Sequence, residues 1–366
     1  MSSCTRINNV GATIEALRPR IYPIRAVMKA NIAHLLAIGV DAIGINATTG
    51  KENDAFQPGC RNSGVRCREA GAPMMDSVLR VSAPAKLNLT LEVTGRLANG
   101  YHSIRSLFVR LDAVADVIEL RIDHNGNGIY IRSDFPGIPL DAGNLCHLAA
   151  ERYLRAIDAD ARVDISIAKV IPMSAGLGGG SSNAASVLLG LNQAFGNPVP
   201  LQDLSVIGSR IGKDIPFFIM KAPAAVVSGT GEVVAPLPSF PQCHFLIVNA
   251  MVPVTTRDAY QALAETVAFM SDAARSDITD TMTRAIRSSD CMAIAATLYN
   301  DFESLVEARL PIVKQLKQIL RAFGAMGALM TGSGASVFGV FASSEQQRNA
   351  EQALRRHYPS FLVLKA

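Results

Sequence analysis

Cysteine is sparse in this chain of 366 residues, and its six copies, at 4, 60, 67, 146, 243 and 291, have neither metal-ligand spacing nor the density of a disulfide framework. A disulfide-stapled secreted domain is thereby excluded, and a reducing compartment, the cytoplasm, is the expected location. Long apolar runs are missing too. Ile32 to Ile45 is broken by His34 and Asp41 and is shorter than the ~20 residues that cross a bilayer. No membrane partner is expected. The opening Ser-Ser-Cys-Thr lacks the basic and apolar start of a secretory signal. Residues 1 to 25 carry four arginines and one acidic residue, a composition that leaves a transit peptide open. Dense runs of one charge are also absent: 35 Lys and Arg against 31 Asp and Glu give +4, spread along the chain. That balance suits small anionic ligands and argues against a nucleic-acid surface.

What is present falls into three stretches. Residues 46 to 74 hold scattered Gly, Asn and Arg with no period of 2 or 3.6, the signature of a linker. Met74 and Met75 stand just before the first convincing strand. Residues 1–75 are therefore expected to be an extension, disordered or an upstream read-through, and dispensable for activity. From Ala85 the pattern is strict: Ala85, Leu87, Leu89, Leu91 and Val93 take one face, Lys86, Asn88, Thr90 and Glu92 the other. After the Asn99-Gly100 turn, strands at 103–111, 117–122 and 128–132 complete an antiparallel set. A helix at 145–157, a strand at 163–170 and a helix from about Gly180 follow, making residues 76–240 an α+β domain. Pro236, Pro238 and Pro241 mark a junction. The second domain, 241–366, reads as strands at 245–249, 328–331, 336–341 and 361–364, with helices near 256–268, 291–307, 311–323 and 345–356.

Between the strand at 163–170 and the following helix lies Pro172-Met173-Ser174-Ala175-Gly176-Leu177-Gly178-Gly179-Gly180-Ser181-Ser182-Asn183. Glycines let a backbone bend tightly towards an anion, and a helix beginning there presents unpaired N–H groups and the positive end of its dipole. Ser181 and Ser182 can cap the helix, donate to a phosphate or help hold Mg²⁺. A P-loop is excluded because no lysine follows the glycines. A dinucleotide fingerprint fits in part, through Gly176 and Gly178, but Ser181 stands in the third glycine's place and the acidic strand end about twenty residues on is missing. A glycine-rich turn without a ligand stays open.

This segment resembles the phosphate loop of the GHMP kinases, and two further motifs match in the same order. Pro84-Ala85-Lys86-Leu87-Asn88-Leu89, with Thr94-Gly95-Arg96 and Gly100-Tyr101-His102 after it, is similar to the N-terminal motif of one branch. Thr331-Gly332-Ser333-Gly334-Ala335-Ser336 resembles the family's C-terminal glycine motif. The likeness spans about residues 79 to 366. It implies a two-domain α+β fold: an N-terminal mixed α/β domain with the phosphate loop and a ferredoxin-like C-terminal domain. It implies ATP as co-substrate with Mg²⁺, no metal held by dedicated protein ligands, a small-molecule partner, and a monomer or weak homodimer. The branch implied phosphorylates the 2-hydroxyl of 4-diphosphocytidyl-2-C-methyl-D-erythritol in the non-mevalonate isoprenoid pathway. Asp214 matches the catalytic base of that family and Lys86 the lysine that orients it and polarises the hydroxyl. Pro172 to Ser182, with Asn144 and Lys169, fall where ATP is bound. Asn88, Tyr101, His102 and Tyr260 fall at the substrate, where aromatic rings and edge-on hydrogen bonds suit a cytosine. Two departures stand out: Lys213 sits beside the aspartate where a small residue is expected, and Ser174-Ala175 replaces part of a glycine run. Kinases of homoserine, mevalonate or a sugar, and a non-catalytic nucleotide-binding protein, are the competing readings.

Overall fold

The computed structural model describes residues 78–97, 102–251 and 272–366, together with the backbone of 10–15 and 43–48. The chain divides into two compact units, Met1–Met75 and Asp76–Ala366. In the first, β1 (Val10–Glu15) and β2 (Ile43–Thr48) pair in parallel, with Val10 opposite Ile43 and Glu15 opposite Thr48. The sequence reading expects an extension over 1–75, disordered or an upstream read-through; within it these two segments are paired strands. Their Val, Ile and Thr content suits a pleated pair, and more than a dozen intervening residues allow the crossover that parallel strands need.

The second unit contains β3 (Leu79–Arg96), β4 (His102–Asp123), β5 (Gly128–Ser133), β6 (Arg162–Ala168), β7 (Ala224–Ser228), β8 (Val233–Leu237), β9 (His244–Asn249), β10 (Tyr299–Asn300), β11 (Gly327–Met330), β12 (Val337–Phe341) and β13 (Leu362–Lys365). Its helices are α1 (Leu145–Ala156), α2 (Gly179–Ala194), α3 (Leu201–Ser209), α4 (Ile215–Met220), α5 (Asp272–Arg287), α6 (Cys291–Ala296), α7 (Glu303–Arg309), α8 (Pro311–Ala322) and α9 (Ser344–His357). One sheet runs β10-β3-β4-β6-β5, with β7 on β4 and β8 on β7. The other runs β11-β12-β9-β13, antiparallel throughout. Its strands follow the chain order β9, β11, β12 and β13, with α8 running into β11 and packing on the sheet and α9 joining β12 to β13, the expected ferredoxin-like arrangement.

Three sequence expectations change. The strands expected at 103–111 and 117–122 are one 22-residue strand, β4. It is bent where Ala85 pairs with Leu111 but Pro84 pairs with Ala115, leaving three extra residues as a bulge. The first sheet is mixed rather than antiparallel, because β5 lies parallel to β6 and β10 parallel to β3. The helix expected over 291–307 is broken into α6 and α7 by β10, whose Tyr299 pairs with Thr90. The helix expected near 256–268 lies outside the described residues.

β3 is the spine of the unit. Ala85, Leu87 and Leu89 pack with Phe245, Ile247, Leu329 and Phe338 of the second sheet, each large side chain contributing about 1.5–3 kcal/mol on burial. Alternation predicts a solvated opposite face, yet Lys86, Asn88, Thr90 and Glu92 are buried as well. α2 crosses behind β3 and β4, setting Val187, Leu188 and Leu191 into the core that contains Ile118, Leu120 and Val163. Covered on both sides, β3 carries its polar residues into an enclosed seam where each must find a partner.

Candidate active site

A cavity of about 450 Å³ opens at the N-terminus of α2. Lys86 and Asn88 from β3, Asn144, Lys169, all of 172–181 and Asp214 line it, joined by Gly332 and Ser333 of the C-terminal glycine motif. Ser182 lies just beneath, fully buried, its Oγ without a hydrogen-bond partner. Three distant segments predicted from sequence thus converge on one wall.

The loop's shape follows from two glycines in the left-handed region. Gly178, at φ +70°, caps α2 with no side-chain hydrogen bond to the first turn, so those N–H groups face the cavity unsatisfied. A Cβ there would lie 2.9 Å from Lys86 Cγ and 3.1 Å from Phe218. Gly176, at φ +75°, touches the C-terminal motif so closely that a Cβ would lie 2.1 Å from the Thr331 carbonyl oxygen. Loop and motif are pressed backbone to backbone. Lys86 N–H donates to the Leu177 carbonyl at 3.0 Å, and Asn88 N–H donates to Thr331 Oγ1 at 3.0 Å.

Lys86 Nζ lies 3.4 Å from Asp214 Oδ2; the lysine side chain is 5% exposed and the aspartate 28%. The ammonium donates to Asn88 Oδ1 at 2.6 Å and sits 4.4 Å from the centre of the Phe108 ring, a cation–π contact that offsets part of its desolvation. Asn88 passes a hydrogen bond on to Ser106 Oγ at 3.0 Å. Asp214 precedes α4, but its side chain makes no capping hydrogen bond. A capping role therefore does not explain it, and its carboxylate faces the ammonium at the mouth of the loop. Such a pair can receive a proton from a hydroxyl placed beside it while the loop's N–H groups balance phosphate charge.

The other predicted residues divide. Asn144 caps α1, accepting from Cys146 N–H at 2.9 Å and donating to the Pro139 carbonyl at 2.7 Å. Lys169 forms a buried ion pair with Asp116 at 2.5 Å. His102 is buried at the start of β4, where burial first and the Arg96 charge second push its imidazole below the usual histidine range; it is neutral near pH 7. It does not line the cavity. Tyr101 and Tyr260 lie outside the described residues. Lys213 packs against Gly231 in the β7–β8 turn. Burial alone would raise the Glu232 carboxyl, but hydrogen bonds from Thr230, with the Lys213 charge, hold it below the ordinary glutamate value.

Sequence reasoning missed Asp116, Phe108 and the apolar wall of Ile138, Pro139, Leu145 and Ile167. Only Asp116 carried a signal, as a carboxylate among apolar strand residues. Among the described residues no group of three His, Cys, Asp or Glu is placed to hold a metal. Mg²⁺ commonly binds through one or two carboxylates and substrate phosphates. Asp214 and the unpartnered Ser182 hydroxyl beside the loop fit that donor set.

A glycine loop opening a helix, a buried lysine against a carboxylate and a second glycine motif sealing the loop define a small-molecule kinase site. The model of GHMP kinases N terminal domain matches residues 144–222, and that of GHMP kinases C terminal matches 282–360. Residues 2–68 match a third model, the YgbB family. The chain is 36% identical over 285 residues to a 4-diphosphocytidyl-2-C-methyl-D-erythritol kinase of Geobacter metallireducens, covering 78% of this chain and 97% of that protein. It is 39% identical over 279 residues to the enzyme of the same name from Geobacter sulfurreducens, covering 76% and 95%. A crystal structure of a 4-(cytidine 5'-diphospho)-2C-methyl-D-erythritol kinase superimposes with TM-score 0.63 at 29% identity, over 78% of this chain and 98% of that one. A homoserine kinase from Cytophaga hutchinsonii shares the fold, with TM-score 0.64 at 21% identity over 80% and 95%. The chain belongs to the GHMP kinases, in the family of 4-diphosphocytidyl-2-C-methyl-D-erythritol kinases.

Proposed function

We propose that this chain transfers the γ-phosphoryl group of ATP to the 2-hydroxyl of 4-diphosphocytidyl-2-C-methyl-D-erythritol, a step of the non-mevalonate isoprenoid pathway. The observation that carries the chemistry is the 3.4 Å approach of Lys86 to Asp214 beside the phosphate loop. In this reading the α2 N-terminus and residues 172–182 hold the triphosphate, with Asn144 and Lys169 on the adenosine side. Asp214 receives the hydroxyl proton as the phosphoryl group moves. Lys86 fixes the carboxylate and draws electron density from the attacking oxygen. Asn88, held by Thr331 and Ser106, sets the lysine's position. Tyr101, His102 and Tyr260 serve the cytidine end. Asp214 and Ser182 would hold Mg²⁺ together with the phosphates, and the bound ion would supply neutralisation of the charge on the transferring group. A cytoplasmic monomer or weak homodimer completes the proposal. No helix among the described residues is long and apolar enough to cross a membrane.

Purified protein assayed for ATP consumption with the cytidine alcohol, mevalonate and homoserine in parallel tests the reading. Turnover is expected with the cytidine alcohol alone. Turnover confined to another alcohol would overturn the substrate, and none with any of the three would overturn the activity.

A further inference from the structure

Asp116 is completely buried, lies outside the cavity's lining and belongs to none of the sequence motifs. Its carboxylate is nevertheless fully engaged. Oδ1 accepts from the backbone N–H groups of Val170, at 2.7 Å, and Ile171, at 2.8 Å. Oδ2 accepts from Lys169 Nζ at 2.5 Å and Asn183 Nδ2 at 2.8 Å. Four donors from two segments more than fifty residues away in the chain thus meet on one side chain. Those segments are the chain just after β6, which enters the phosphate loop, and the first turns of α2, which leaves it.

The geometry explains why this carboxylate matters to the loop between them. Asp116 follows the β4 bulge, which carries it beneath that loop. Lys169 Nζ lies directly under the first residue of α2, only 3.0 Å from where a Cβ on Gly179 would be, and 3.4 Å from Asn183 Oδ1. The pair carries no net charge, so it adds little long-range attraction for a triphosphate; its effect is on position. Lys169 thereby faces inward to the carboxylate as well as lining the cavity.

We propose that Asp116 is a positioning residue for the nucleotide: by clamping both ends of the phosphate loop it fixes where the α2 N–H groups point, and so sets ATP affinity without touching ATP. This rests on the reading of residues 172–182 as the ATP loop. Asp116→Asn removes the charge and turns an amide donor towards Lys169 or Asn183. Lys169→Met leaves a buried carboxylate without its cation close to the triphosphate. The double variant restores neutrality and keeps an oxygen for the two backbone donors.

The test uses the full chain, with an ATP analogue that cannot transfer its γ-phosphoryl group titrated by calorimetry, and with KM measured for each substrate. Asp116→Asn is expected to weaken analogue binding about 10-fold, the scale of one charge-assisted hydrogen bond. Lys169→Met is expected to weaken it more, and the double variant less than Lys169→Met alone. KM for the cytidine alcohol stays within about twofold throughout. Analogue binding by Asp116→Asn equal to wild type, equal losses for both substrates, or additive effects in the double variant would each overturn the proposal. If Asp116→Asn does not fold, Lys169→Met against the double variant still decides. Wild-type protein that binds no analogue would instead refute the ATP-loop reading itself.

Discussion

Gly176→Ala adds one carbon atom at the place where the two glycine motifs meet. The new Cβ would stand 2.1 Å from the Thr331 carbonyl oxygen. An ordinary contact of that kind is about 3.3 Å, so loop and motif must part by about 1 Å. The residue must also hold φ +75°, which costs a non-glycine side chain about 1–3 kcal/mol. Two backbone contacts, rather than a flexible side chain, resist the shift. Displacing reacting groups by about 1 Å lowers rates on the order of 100-fold. We therefore expect kcat to fall about 100-fold in Gly176→Ala, with unfolding free energy reduced by about 1–3 kcal/mol. Initial-rate kinetics and urea denaturation of the same preparation measure the two effects separately. Wild-type kcat in a folded Gly176→Ala protein would refute the claim that contact between these motifs sets the catalytic geometry.

Three further outcomes follow from the site. Asp214→Asn should lower kcat by about 10²–10⁴ with the fold kept, because the carboxylate caps nothing in α4 and the buried Lys86 ammonium retains Asn88 Oδ1 and the Phe108 ring as partners; unchanged turnover would remove Asp214 from the chemistry. Lys86→Met should also abolish most turnover, yet its melting temperature should not collapse, since the lysine's desolvation cost is shed and the Asp214 carboxylate left behind is 28% exposed and stays hydrated; calorimetry and rate assays on one sample separate these. Glu92 gives a pH test: desolvation raises its carboxyl pKa above the ordinary glutamate value of 4.5, outweighing hydrogen bonding from Thr279 and the Arg105 charge. The folded state then binds the proton more tightly than the unfolded chain, so this group's contribution is present below pH 4.5 and is lost as pH rises through the folded value. Glu92→Gln should therefore raise the melting temperature more at pH 8 than at pH 5, and an equal gain at both would refute the assignment.

Motif residues were legible in the sequence because their chemistry demands particular types at particular spacings. Glycines 176 and 178 announced a bend, and the run that follows them announced the helix start. The ferredoxin-like half could be read from its short apolar strands because both its strands and their order are regular. What periodicity could not give was the burial of the polar face of β3. Alternation records two chemically different faces, and it is silent on whether the second meets water or another part of the protein. The merger of two expected strands into β4 has a similar origin: the bulge at 112–114 looks like a turn in sequence, while the hydrogen bonds to β3 resume at Ala115. Asp116 was missed because its four donors, two backbone N–H groups and two side chains, come from segments more than fifty residues further along the chain, and a lone carboxylate among apolar strand residues does not say which distant groups it meets.

The phosphate loop is held from three directions, and each hold uses a different kind of contact. From below, Asp116 binds the chain entering the loop and the helix leaving it. From the side, Thr331 meets Gly176 through backbone atoms that leave no room for a side chain. Across the cavity, Lys86 N–H donates to Leu177 from the same residue whose ammonium faces Asp214. One residue, Lys86, is thus hydrogen-bonded to the loop through its backbone and paired with Asp214 through its side chain, so displacing the loop displaces the pair. Phosphoryl transfer asks a protein mainly for placement of charge against a group moving in line. A loop free to adapt would spend binding energy on ordering itself when ATP arrived. Here the ordering is already supplied by folding, which is why buried polar groups accumulate around β3 where an apolar seam would have been simpler to stabilise.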